Sequence, residues 1–94
     1  MSEGASQKAD MQAAFEKVKV VKRAHENELM AKANVVGVGV GLSVKGGVRR
    51  KSVALVVMVS QKVPRSQLAA EDIIPGQIEG VPVDVQEVGE IRAH

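Results

Sequence analysis

The 94-residue chain has no cysteine, tryptophan, tyrosine or threonine, and its one aromatic residue is Phe15. Without cysteine it forms no disulfide, no thiolate nucleophile and no cysteine-ligated zinc or iron–sulfur centre. A single ring leaves almost no platform on which bases or sugars could stack. Two histidines, His25 and His94, leave little for acid–base or metal chemistry. No run approaches the roughly 20 apolar residues that span a membrane. Residues 1–22 carry acids, glutamine and lysine where a signal peptide needs an apolar stretch. The expectation is a soluble cytoplasmic protein that is not an enzyme, with no catalytic residues, no cofactor, no metal and no membrane partner.

What the chain does have is valine, at 18 of its 94 positions. A buried valine removes less area from water than leucine or phenylalanine, at roughly 25 cal/mol per Å². A chain of this length buries only about two thirds of its unfolded surface. The core should be thin, and oligomerisation is one remedy for a small scaffold. The net charge of +2 conceals a strong asymmetry. Residues 34–65 carry Lys45, Arg49, Arg50, Lys51, Lys62 and Arg65 and no acid. Residues 66–94 carry Arg92 against Glu71, Asp72, Glu79, Asp84, Glu87 and Glu90. Such opposition can serve pairing within the fold, pairing between copies, or an anionic partner.

Residues 1–7 read as a polar lead, and residues 8–94 as a single α+β domain. Residues 8–33 contain neither glycine nor proline, and Met11, Ala14, Phe15, Val18, Val21, His25 and Leu29 form one stripe at helical spacing. Ser6 or Asp10 could cap the start, and Asn34 suits the stop. Lys22–Glu26 and Glu28–Lys32 sit at i,i+4. The narrow apolar face, with Phe15 and Val18 at its centre, lies either on a sheet or on the same helix of another copy.

From residue 35 the period changes to two. In 35–44, Val36, Val38, Val40, Leu42 and Val44 point one way, and Val35, Gly37, Gly39, Gly41 and Ser43 the other. Three glycines in register mark a close approach by another backbone, either a helix of the same chain or an outside element. Lys45–Lys51 reads as a hairpin connection, with Gly46-Gly47 able to supply positive φ. The second strand, 52–63, is apolar on both faces and should be central. A short helix follows at 66–74, then a strand at 81–88 in which Pro82 marks an edge or a strand start.

The order α-β-β-α-β is that of a ferredoxin-like unit lacking its first strand. Either the sheet closes up, with the third strand beside the second, or a strand from another chain fills the gap or an open edge.

Residues that look like chemistry mostly fail on context. Gly37, Gly39 and Gly41 lie inside a strand and lack the following helix that a dinucleotide fingerprint requires. Lys45 precedes Gly46, against the order of a phosphate loop. His25 and Glu28 lack further ligands for a metal. Ser43, Ser52 and Ser60 have no nucleophile-elbow setting. Asp72, Asp84, Glu87 and Glu90 read as solvated charges. Arg49, Arg50 and Lys51 form one basic cluster. It is either a non-specific, salt-sensitive grip on nucleic-acid phosphates, or a solvated turn that pairs with the acidic C-terminal third.

The stretches Ala33–Gly41, Ala54–Val59, Lys62–Pro64, Glu71–Pro75 and Gly80–Val85 resemble a segment of bacterial proteins that lies upstream of a trypsin-like serine peptidase domain. The likeness covers about residues 33–89 and carries no catalytic residue. This chain ends where the peptidase would begin and adds a longer helix at its start. The resemblance implies either a stand-alone relative that self-assembles or a prosegment-like accessory domain with a peptidase partner. The residues themselves point first to a homo-oligomer with a structural role. Its candidate contacts are Gly37, Gly39, Gly41, Arg49, Arg50, Lys51, Phe15 and Val18.

Overall fold

The computed structural model describes the backbone of residues 3–45 and 48–89, and the side chains of residues 10–43 and 52–89. One helix, α1 (Glu3–Met30), precedes the strands β1 (Val35–Lys45), β2 (Val48–Val59), β3 (Gln77–Ile78) and β4 (Val81–Glu87). They form one four-stranded sheet in the order β1-β2-β4-β3. β1–β2 and β3–β4 are antiparallel, and β2–β4 are parallel. The chain is therefore α+β with a small, mainly antiparallel sheet. The place of the missing ferredoxin-like strand is closed, because β4 lies directly beside β2.

The helix starts earlier and ends earlier than its sequence suggests. Glu3–Gln7 contains no proline, so the helix propagates through the polar lead once it is nucleated downstream. Ser6 and Asp10 accordingly lie inside α1 and do not cap it, while Met1 and Ser2 fall outside the described residues. At the other end, the Lys32 N–H donates to the Leu29 carbonyl at 3.1 Å, tightening the last turn. Asn34 then takes a φ of 70°, a left-handed conformation that asparagine tolerates, and turns the chain into β1.

The apolar stripe of α1 packs onto the sheet of its own chain. Val18, Val21 and Leu29 are buried, and Ala14 and Phe15 pack against the same core. Met11, the first member of the expected stripe, is exposed instead. The sheet side of the core comes from Val35, Val53, Leu55, Val57, Val59 and Val81, with Val38, Val40, Val83 and Val85 around them. β2 is central, as its two apolar faces require.

One inserted residue corrects the expected alternation in β1. Val35 pairs with Val59 but Gly37 pairs with Met58, so Val36 is an extra residue, a β-bulge. The bulge shifts the parity of the strand. Val35 therefore shares the core face with Val38 and Val40, not the glycine face. β1 and β2 also run further than expected at the hairpin, to Lys45 and Val48, which pair with each other. Gly46 and Gly47 between them, and the tail from Glu90 to His94, lie outside the described residues.

The connection from β2 to β4 contains no α-helix. The expected helix at 66–74 is two 3-10 turns, Arg65–Gln67 and Ala70–Asp72, separated by extended Leu68 and Ala69. Ten residues between Pro64 and Pro75 are too few to repay helix nucleation. Contacts with the end of α1 hold the segment instead. Lys32 Nζ donates to the Glu71 carbonyl at 2.6 Å, and the Ala33 N–H donates to Asp72 Oδ1 at 2.9 Å. Lys32 is thus drawn away from Glu28, its expected i,i+4 partner, whereas Lys22–Glu26 forms as expected at 3.1 Å.

β3 is not foreseen in the sequence. Gln77 pairs with Pro82 and Ile78 with Val81, across Glu79 and Gly80. Both turn residues have positive φ, 50° and 80°, which is how a two-residue hairpin matches the strand twist. Pro82 is the second residue of β4, before the ladder to β2 begins at Val83, so its missing N–H costs that ladder nothing.

Candidate functional site

The two faces of the sheet are unequal. α1 covers one. The other carries Gly37, Gly39 and Gly41 on β1, Ala54, Val56 and Met58 on β2, and Asp84 and Gln86 on β4. No helix or strand among the described residues lies on it. The glycines make room for their neighbours within the sheet. A methyl group at Gly37 would sit 2.9 Å from Met58 Cε, and one at Gly41 would sit 3.4 Å from Val56 Cγ2. The close approach inferred from the glycines is thus made by side chains of the adjacent strand, not by a helix of the same chain. Met58 lies across Gly37 and reaches toward Gly39.

Ala54 and Val56 are nonetheless buried on this face, whereas the three glycines, Met58, Asp84 and Gln86 are partly exposed. Gln86 Nε2 donates to Asp84 Oδ2 at 3.0 Å.

β1 is an edge strand. Its inner edge pairs with β2, and no described strand pairs with its outer edge. From Val35 to Val44 it carries no charge and no proline. Natural sheets usually protect an edge with charge, proline, bulges or covering elements. β1 has only the bulge at Val36 and a second irregularity between Leu42 and Val44. The stretch between, Gly37 to Leu42, is regular.

The other candidate contacts sort differently. Val18 is 2% exposed inside the chain's own core and has no surface to offer a second copy. Phe15 is half-buried against the same cluster. The backbone of Arg49, Arg50 and Lys51 belongs to β2 rather than to a loop, and their side chains lie outside the described residues.

His25 is held by two acids. Its Nε2 donates to Glu79 Oε2 at 2.8 Å, and Nδ1 lies 3.5 Å from Glu28 Oε2. The hydrogen bond to Glu79 raises the His25 pKa above its ordinary value; burial opposes the rise and Glu28 adds to it. The two carboxylates sit on opposite ring nitrogens, so they do not converge on a point where a metal could bind. Among the described residues, no group of three or more histidines or acids could hold a metal ion. No described helix is long and apolar enough to cross a membrane.

The contact from His25 to Glu79 spans 54 residues and escapes sequence reasoning, because it depends on the unforeseen β3–β4 turn. No protein-family model matches the chain, and no curated protein matches it.

Proposed function

We propose that the chain is a non-enzymatic structural module that associates with copies of itself through the outer edge of β1. The observation that carries this reading is the regular, uncharged run from Gly37 to Leu42 at a sheet edge. Its unpaired N–H and C=O groups are a template for another strand. Pairing of β1 with β1 of a second copy would join two four-stranded sheets into one. The glycines on one face of that seam remove the side chains that would otherwise have to interdigitate across it. The valine-rich core, thin for its size, gains further cover from such a partner.

Size-exclusion chromatography with light scattering tests this, with refractive-index detection because the chain lacks tryptophan and tyrosine. The expected result is an oligomer that Gly39→Lys converts to a folded monomer. A lysine there places a charge at the edge, and an added Cβ meets nothing nearer than 3.8 Å. A wild-type monomer at every concentration would overturn the proposal. A strand donated by a trypsin-like peptidase partner, the accessory role implied by the resemblance over residues 33–89, predicts that same monomer. It further predicts that the Gly39→Lys variant loses binding to the peptidase.

A further inference from the structure

A second surface feature lies under the connection from β2 to β4. There a half-open cleft of about 280 Å³ runs between the sheet and the crossover. Its floor is Val59 and Val85, near the carboxyl ends of the parallel strands β2 and β4. Its walls are Val63, Leu68, Ile73 and Ile74, each only half-buried. The carboxyl ends of adjacent parallel strands are where a crossover leaves such a crevice, and where ligands of open α/β sheets are commonly found.

The polar groups of the cleft are lopsided. Asp72 lines the cleft with one carboxylate, whose Oδ1 accepts the Ala33 N–H at 2.9 Å. Lys62 and Arg65 also line the cleft. Among the described residues neither of these two side chains has an ion-pair or hydrogen-bond partner. Glu87 accepts the Lys62 backbone N–H at 2.9 Å. Two unpaired cations, one of them a guanidinium with a fork that fits a carboxylate, therefore stand beside six apolar side chains.

We propose that this cleft binds a small aliphatic carboxylate, its chain against Val63, Leu68, Ile73 and Ile74 and its carboxylate between Lys62 and Arg65. An apolar cavity of roughly 150 Å³ admits benzene. A cleft of 280 Å³ therefore suits a ligand of about ten heavy atoms, such as octanoate. The two cations outnumber the single Asp72 carboxylate in the cleft, and a neutral ligand of the same length would leave that excess without a counter-charge. The site is separate from the β1 edge, so its test stands apart from the oligomeric state.

The test is an amide chemical-shift titration of the full chain with sodium octanoate, with octan-1-ol as the neutral control. Octanoate should produce saturable shifts at Val63, Leu68, Ile73 and Ile74, with little change along β1. The double variant Lys62→Gln, Arg65→Gln removes two exposed charges and no core contact, so it keeps the fold. It should weaken octanoate binding by at least about tenfold and leave octanol unaffected. The proposal fails if octanoate gives no saturable shift by about 10 mM. It fails equally if octanol binds as tightly, or if the double variant binds octanoate as well as the wild type does.

Discussion

The two faces of the sheet are made by the same three long strands, yet they are packed by different means. On one face α1 lays Val18, Val21 and Leu29 onto Leu55, Val57 and Val59, and those side chains are almost wholly removed from water. On the other face no described helix or strand arrives. There the sheet closes over itself, with Met58 lying across Gly37 and Val56 leaning on Gly41. The first face is stabilised by contacts between elements far apart in sequence. The second is stabilised by contacts between adjacent strands, and its glycines are the vacancies that such packing fills. A glycine-rich strand face is therefore not by itself a docking surface. What β1 offers to a partner is its edge.

This contrast can be broken most forcefully at the core face. Leu55→Ala should cost about 2–5 kcal/mol, read as a lowered urea midpoint, because the residue is fully buried beneath α1. Met58→Ala, three residues along the same strand on the glycine face, should cost about 1 kcal/mol, since Met58 is only half-buried. Equal losses would show that the two faces are energetically alike.

A smaller effect sharpens the account of the glycines. Gly37→Val should cost little, under about 1 kcal/mol, because the atom its Cβ meets at 2.9 Å is the methyl end of the flexible, half-buried Met58 side chain, which can swing aside. In the Met58→Ala background the same change should become neutral or stabilising, as valine suits a strand and its obstacle is gone. The double-mutant cycle reads the coupling directly, and additive changes would show that Met58 is not what Gly37 accommodates.

The smallest effect concerns the tie between α1 and the β3–β4 turn. The folded-state pKa of His25 is raised, so its contribution to stability is full below the unfolded value near 6.5 and is lost as pH rises through the folded value. Thermal melts of the wild type should therefore weaken slightly over that interval above pH 6.5, and those of His25→Gln should not show this step. An identical pH profile in both would remove His25 from the account. Both acids are well exposed, which keeps the effect small.

The helix, the hairpin and the central place of β2 were legible in the sequence, because each rests on a long periodic run. The misreadings occurred where one residue or one tertiary contact decides. Val35 looks like a partner of Gly37 by alternation, and only the extra residue at Val36 reverses its face. Residues 66–74 look like a short helix, but the segment takes its shape from Lys32 and Ala33 on another element. Glu79 gives no hint of a positive φ, so nothing in the sequence announces β3. Phe15 and Val18 were legible as an apolar face, and the fold assigns that face to the chain's own sheet. The cleft under the crossover escaped because its walls come from residues with no common period.

The parallel pairing of β2 with β4 has a consequence in time. β1 and β2 are neighbours in sequence and can zip from their turn, closing only short loops. β4 must be carried back across the whole crossover before Val83 can meet Leu55. During that interval the second edge of β2, from Leu55 to Val59, stands bare and wholly apolar. Pulsed hydrogen exchange should find the β1–β2 amides protected before those of β4. The nascent chain thus has two edges able to capture another strand, and completing the fold closes one of them and leaves the edge of β1.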